Sequence, residues 1–281
     1  MLIRLYGVLA MMLAAIAGLP MGIFESYTWL WAYPLLAIGI LLVEILLSFG
    51  YLMLLCKRVD FESEQEEDAP HYRWVVEQLV ESVVPLVRIG VKVSGMEKVP
   101  PQGRFMLVCN HCSNSDPVML LSAFKGHQVA FIAKKEVKDM FVVGPMLHKV
   151  LGQFIDREND REALKTILKC IQILKEDKAS IAVFPEGGIL SEDGKLHHFR
   201  PGVFKIAQKA NVPIVVCTLW GSQDVFKNFA KLKPSEVHLH LVGVIPAEEL
   251  KGVTTVDISN RVHAMMAADL GEERVYHEQN T

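Results

Sequence analysis

The order of apolar and polar runs predicts an α/β fold: a mostly parallel or mixed sheet with helices on both faces, preceded by an N-terminal apolar helical hairpin. Three observations predict it. From Ile89 onward, short strand-like runs alternate with segments of helical period, the pattern of a sheet covered by helices. The runs are apolar along their length, as in strands buried on both faces. Ahead of Arg58 lie two much longer apolar stretches.

The first stretch, Leu5 to Phe24, carries no charged side chain and has Gly18, Pro20 and Gly22 near its far end. The second, Tyr27 to Cys56, is broken only by Glu44. Each is long enough for a hydrocarbon core, which takes about 20 residues. Residues 1–58 are therefore expected to form a membrane-associated helical hairpin. Arg4 before it and Lys57-Arg58 after it put both ends on one side, and basic flanks favour the cytoplasm. A hairpin dipping into one leaflet fits the same residues. Ala15-Ile16-Ala17 resembles a signal-peptide cleavage site, but the single Arg and the second apolar run argue against one. Glu44 would cost about 2–3 kcal/mol unpaired at the bilayer centre. It is expected to face the other helix or an interface.

Residues 59–70 read as an acidic linker, solvated through Glu62, Glu64, Glu66, Glu67 and Asp68. Residues 71–281 form the expected α/β domain. Its first helix places Val76, Leu79, Val80, Val83, Val84 and Val87 at helical spacing, for the core rather than the membrane, with Pro85 bending or ending it. Strands follow at Ile89–Val93, Phe105–Cys109, Val129–Ala133, Gln153–Ile155, Ser180–Phe184, Ile214–Leu219 and Val237–Ile245. Helices are expected at Pro117–Phe124, Phe141–Val150, after a cap at Asn159 or Asp160, at Gly202–Ala210 and at Thr254–Leu270.

The 281 residues are 51% hydrophobic with a net charge of −3, enough for one α/β domain beside the hairpin. No bulk basic field is offered to nucleic acid. Five cysteines are scattered at 56, 109, 112, 170 and 217, which suggests reduced thiols rather than a disulfide framework. Cys109-x-x-Cys112 brings zinc to mind. No second pair stands at finger-like spacing, and Cys109 sits inside a strand, so no metal is expected.

The chemistry centres on Asn110-His111-Cys112-Ser113-Asn114-Ser115-Asp116-Pro117. His111 leaves the end of a strand. Asp116 as N-cap and Pro117 at the first helical position open the next helix. The loop between can bring carboxylate to imidazole, fixing the tautomer and leaving the other ring nitrogen as a base. Ser113 and Ser115 read as loop-capping residues. There is no Gly-x-Ser-x-Gly elbow, which weighs against a serine hydrolase.

His111-x4-Asp116 resembles the first motif of the glycerolipid acyltransferases, the family that includes 1-acyl-glycerol-3-phosphate acyltransferases. Three further blocks follow in the family's order: Gly152-Gln153-Phe154-Ile155-Asp156-Arg157, Phe184-Pro185-Glu186-Gly187 and Val212-Pro213-Ile214-Val215. The resemblance covers about residues 90 to 245 and implies transfer of a fatty acyl group from a thioester to the sn-2 hydroxyl of 1-acyl-glycerol-3-phosphate. His111 would be the base and Asp116 its partner. The resemblance further implies that Arg157 binds the acceptor, that Lys134 meets its phosphate, and that Glu186 with Gly187 beside it helps hold it. Arg200 stands before a helix, where the dipole also attracts anions. The partners implied are membrane lipids, a lysophospholipid acceptor, and acyl-CoA or acyl carrier protein as co-substrate. No cofactor is implied.

The third block departs from the family. Gly188 and Ile189 stand where a Thr and often an Arg are usual, so a hydroxyl and a cation are missing. Lys195 or Arg200 is expected to supply the charge. The departure keeps open another lysophospholipid or an amino-acid lipid as acceptor. A non-catalytic membrane lipid-binding protein is a further alternative. A metal-dependent hydrolase lacks a ligand set.

Overall fold

The computed structural model describes residues 2–25, 27 and 31–277. Residues 1, 26, 28–30 and 278–281 lie outside the described residues, as does the side chain of Arg4; they belong to the expected hairpin and to the end of the expected α/β domain. The chain divides into two compact units, Met1–Glu62 and Ser63–Thr281.

The first unit holds α1 (Leu2–Gly18) and α2 (Ala32–Lys57), packed along each other. Ala10 and Ala14 are buried, and such small side chains let two helix backbones approach closely. The Tyr6 and Ser48 hydroxyls lie 2.7 Å apart, and the Tyr33 hydroxyl donates to the Met11 carbonyl. Among the described residues α2, with 26 residues, is the one helix long and apolar enough to cross a membrane by length and composition. The first apolar run falls short of the expected length. It is helical only to Gly18 and then turns, as Gly22 (φ +67°) and the Gly18, Pro20 and Gly22 spacing dictate. Both Glu44 carboxylate oxygens are shielded, and among the described residues neither has a hydrogen-bond partner.

The second unit is built on a seven-stranded sheet. Its strands are β1 (Ile89–Ser94), β2 (Met106–Cys109), β3 (Val129–Lys134), β4 (Gln153–Ile155), β5 (Ser180–Val183), β6 (Ile214–Trp220) and β7 (Ser235–Ile245). They lie in the order β1-β7-β6-β2-β5-β3-β4. Every neighbouring pair is parallel except β6 with β7. The central strands β2 and β5 are buried at every residue, because helices cover both faces. Side chains alternate between two cores. Met106, Val108, Ile181 and Val183 face the layer of α6 (Asp160–Lys175), α7 (Lys205–Ala210) and α9 (Thr255–Leu270). Leu107, Cys109, Ala182 and Val215 face the layer of α3 (Pro70–Leu86) and α4 (Asp116–Ala123). The remaining helices are α5 (Val143–Lys149), inside the expected Phe141–Val150, and α8 (Val225–Ala230); only α8 was not separated from loop by the sequence pattern.

Two caps sit where polar residues precede helical runs. Asn159 accepts from the N–H groups of Arg161 and Glu162 at the start of α6, and Thr254 from that of Asp257 at the start of α9. Helix α3 continues through Pro85 and ends one residue later. The acidic segment differs from the expected solvated linker. Asp68 is nearly buried and forms a forked pair with Arg73, whose guanidinium also donates to the carbonyls of Val129 and Val150. Glu64 pairs with Lys169 and Glu67 with Lys178, so the segment from Ser63 is laid onto the second unit.

Arg73→Ala would strand the buried Asp68 carboxylate and free two carbonyls. It is expected to lower unfolding stability by about 3–5 kcal/mol, measured as a shift of the denaturant midpoint. A shift below about 1 kcal/mol, the range of exposed pairs, would mean that this pair does not dock α3.

Candidate active site

Four neighbouring parallel strands, β2, β5, β3 and β4, end on the same side of the sheet. Each carries a sequence-predicted residue at or just past its carboxyl end: His111 after β2, Glu186 after β5, Lys134 closing β3 and Arg157 after β4. Carboxyl ends of parallel strands are where such sheets bind ligands.

His111 Nδ1 lies 2.9 Å from Asp116 Oδ2. The same oxygen accepts the N–H groups of Cys112 at 2.7 Å and Ser113 at 2.8 Å. Asp116 is fully buried, and its other oxygen has no partner among the described residues. A buried carboxylate holding three donors on one oxygen can fix one imidazole tautomer, with Nδ1–H donating and Nε2 left as base. Asp116 proves to be the first residue of α4 rather than its N-cap, because its side chain turns back to the loop instead of capping its own helix. The helix is pinned by Met119 and Leu120, both essentially inaccessible, and each such burial is worth about 1.5–3 kcal/mol. The N–H groups of Asp116 and Val118 already bond the carbonyls of Ser113 and Ser115. Those two donors are therefore committed to the helix start.

The imidazole stacks on Phe184 with ring centroids 4.1 Å apart and is 15% exposed, enough to meet a substrate from one edge. Asn110 was not singled out by sequence. It is buried, and its side-chain amide both donates to and accepts from the backbone of Leu219, at 2.8 Å each way. This ladder-like pair ties the His111 loop to β6. The sequence signal was available: an Asn directly after a buried strand has amide groups that must be satisfied once buried. Ser113 Oγ accepts from the Ser115 N–H and lies 3.1 Å from its hydroxyl, a loop-bracing role. Cys112 is a buried thiol near Asn110, Gly194 and Leu219, and burial pushes it above the ordinary thiol range.

Glu186 is nearly inaccessible, and its Oε1 accepts the backbone N–H of His111 at 2.9 Å. Burial pushes its carboxyl up to about 8, and the Asp116 charge adds to this. Hydrogen bonds from the His111 and His197 backbones pull the other way. In this structure Glu186 braces the backbone of His111.

The cations gather in front. Gly187 has φ +84°, and a Cβ there would come within 2.6 Å of Arg200 Nε. A Cβ on Gly188 would lie 3.4 Å from Lys134 Nζ and 3.7 Å from Arg157 Nη1. Lys134, Arg157 and Arg200 thus converge on the Gly187–Gly188 backbone, just past β5, the strand paired with the one that His111 follows. Burial and the Arg200 charge lower the Arg157 guanidinium from its ordinary value, with Glu136 opposing. Like charges held this close suit an anion. Lys195 pairs with Asp193 instead, so Arg200 is the cation at this floor. The whole arrangement can take a proton from a hydroxyl beside a bound phosphate or carboxylate.

Comparison with known proteins gives consistent likenesses. The Acyltransferase family model matches residues 90–220. The chain is 32% identical over 196 residues to a protein of Mycoplasma genitalium described as "Probable 1-acyl-sn-glycerol-3-phosphate acyltransferase", covering 66% of this chain and 71% of that protein. It is 29% identical over 187 residues to the 1-acyl-sn-glycerol-3-phosphate acyltransferase of Bacillus subtilis, covering 64% of this chain and 90% of that one. Among solved structures, the 1-acyl-sn-glycerophosphate (LPA) acyltransferase PlsC of Thermotoga maritima has a TM-score of 0.62 at 21% identity. That match covers 83% of this chain and 91% of the other and speaks for the fold.

Glu186 gives a pH signature. Its carboxyl titrates near 4.5 in the unfolded chain and near 8 when folded. Across that window the unfolded chain gives up a proton that the folded chain keeps, so this group's contribution to stability falls as pH rises. Glu186→Gln is expected to flatten that part of the stability–pH curve in denaturation at stepped pH. Parallel curves for the two proteins would contradict it.

Proposed function

Because this chain belongs to the Acyltransferase family, we propose that it moves a fatty acyl group from a thioester donor to the sn-2 hydroxyl of 1-acyl-glycerol-3-phosphate, giving phosphatidate. The observation that carries the reading is the Asp116-bound imidazole one strand from a floor ringed by Lys134, Arg157 and Arg200. The first suits a hydroxyl and the second a phosphate, and the acceptor carries both.

In this reading the phosphate seats against the three cations, with the planar forks of Arg157 and Arg200 taking its oxygens. That places the glycerol hydroxyl at His111. Nε2 takes the hydroxyl proton as the oxygen attacks the thioester carbonyl. The imidazolium that forms is stabilised by the buried Asp116 carboxylate. Collapse of the tetrahedral intermediate expels the donor's sulfur, which receives the proton back from His111. The C–O bond made replaces the C–S bond broken, and no covalent acyl-enzyme is needed. Glu186 serves by fixing the His111 backbone, and Gly187 and Gly188 by leaving room for the cations. The donor is acyl-CoA or acyl carrier protein. The apolar first unit supports a membrane-bound enzyme, and Lys57-Arg58 after α2 support a catalytic unit on the cytoplasmic side. Arg200 supplies the charge that Ile189 does not, which favours the phosphate acceptor over other head groups.

Purified protein given a panel of lyso-acceptors with each donor, with products read by mass, is expected to yield mainly phosphatidate. Accumulation of a different ester alone would replace this acceptor. His111→Ala is expected to lose at least about 10²–10⁴-fold in turnover while staying folded by circular dichroism. Asp116→Asn, which reverses the tautomer preference, should lose turnover comparably. Undiminished ester formation by the Ala variant would remove His111 from the mechanism.

Arg157→Ala and Arg200→Ala should act chiefly on KM for the phosphate acceptor. Each loses about 1.5–3 kcal/mol of charge-assisted bonding, or roughly ten- to a hundredfold. An unchanged KM with a lower kcat would place these side chains outside the phosphate site.

A further inference from the structure

The connection from β6 to β7 carries an outward face that the site does not use. Within Val225-Phe226-Lys227-Asn228-Phe229-Ala230-Lys231-Leu232-Lys233, only Val225 turns into the core. Phe226 and Phe229, three residues apart on one face of α8, are about half exposed, and Leu232 is 78% exposed. Lys227, Lys231 and Lys233 are exposed between and beside them. Leu86, at the end of α3, is 65% exposed at the same corner. The corner is tied together: the Arg88 guanidinium donates to the Leu232 carbonyl, and the Arg88 carbonyl accepts from the Ser235 N–H. Arg88 and Leu232 both hold left-handed backbone conformations, φ +59° and +55°. Their cost is met by the bonds that hold the corner in shape.

The position of this corner follows from strand direction. Strand β6 runs parallel to β2, with Cys109 opposite Cys217, so the chain leaves β6 on the side where His111 leaves β2. Strand β7 returns antiparallel to β6, and β1 starts level with the start of β7. Leu86, Phe226, Phe229 and Leu232 therefore project beyond the same end of the sheet as the His111 loop.

We propose that this corner is a lipid-docking surface of the second unit, taking an anionic bilayer surface in addition to whatever α1 and α2 contact. Large apolar side chains standing clear of a small basic helix turn match the interfacial pattern, in which rings and aliphatic tips enter the acyl boundary. The lysines meet anionic head groups while their stems lie along the apolar face. Docking here turns the strand ends that carry His111 toward the lipid surface. An acidic protein partner would use the lysines and leave Phe226, Phe229 and Leu232 in water, so the apolar content favours lipid.

All five native cysteines are buried, so a nitroxide can be placed selectively on Leu232→Cys in the full chain. A second label on Glu248→Cys, exposed beyond the opposite end of β7, serves as reference. The protein is reconstituted in phosphatidylcholine vesicles with and without phosphatidylglycerol. With the anionic lipid, the Leu232→Cys label should gain oxygen accessibility and lose accessibility to a nickel chelate, while the Glu248→Cys label stays in water. Adding Lys227→Glu, Lys231→Glu and Lys233→Glu should return the first label to water. A label that stays in water in both vesicle types overturns the proposal. So does protection that appears only with added acidic carrier protein, or spin–spin broadening from a second copy.

Discussion

The contact between His111 Nδ1 and Asp116 Oδ2 is the interaction on which the rest depends. A fully buried carboxylate costs several kcal/mol unless donors surround it, and here the ring and two loop N–H groups supply them on one oxygen. That requirement shapes the neighbourhood. The loop must curl so that Cys112 and Ser113 point inward, and α4 must begin at Asp116. Asn110 must bind β6 so that the curl has a fixed base. Glu186 closes the arrangement by accepting the His111 N–H. The imidazole is thus held through its ring, its own backbone and its stack on Phe184.

The second constraint is the direction of the sheet. Parallel strands put all their carboxyl ends on one side, so four neighbours deliver imidazole, carboxylate and cations to one end of the sheet without any long loop. The price of that economy is crowding of like charge. Lys134, Arg157 and Arg200 share the space over Gly187 and Gly188, and Arg157 is depressed by burial and by Arg200. Glycine at 188 gives room for Lys134 to lie across the backbone, and glycine at 187 accepts both φ +84° and the Arg200 side chain. The departure from the family pattern at Gly188 and Ile189 is thereby matched by cations drawn from β3 and from the segment before α7.

The edges of the second unit are fastened by charged groups in unequal ways. Asp68 and Arg73 are withdrawn from water and bind α3 to the start of β3 and the end of α5. The lysines of the β6–β7 connection remain outside, beside apolar side chains that also remain outside. Burial separates a fastening from a surface available to something else, since a pair in water contributes little to stability.

Much of this was legible in the chain itself. Apolar runs bounded by turn residues gave the seven strands to within two residues, because a strand buried on both faces has little choice but Val, Ile, Leu and their like. Asn159 and Thr254 marked helix starts, and His111-x4-Asp116 marked an imidazole paired with a carboxylate. Periodicity could not give the reversal of β7 or the short helix α8. Six residues are under two turns, and strand direction leaves no trace in a run read alone. Nor could it separate Asp68 from the other acids around it, since an ion pair is buried by what folds over it. The resemblance implied that Glu186 helps hold the acceptor and Arg200 read as one cation among several, but neither reading said which groups the side chain would lie against. Only folding, which set Glu186 behind the His111 backbone and Arg200 against Gly187, decided what each side chain touches.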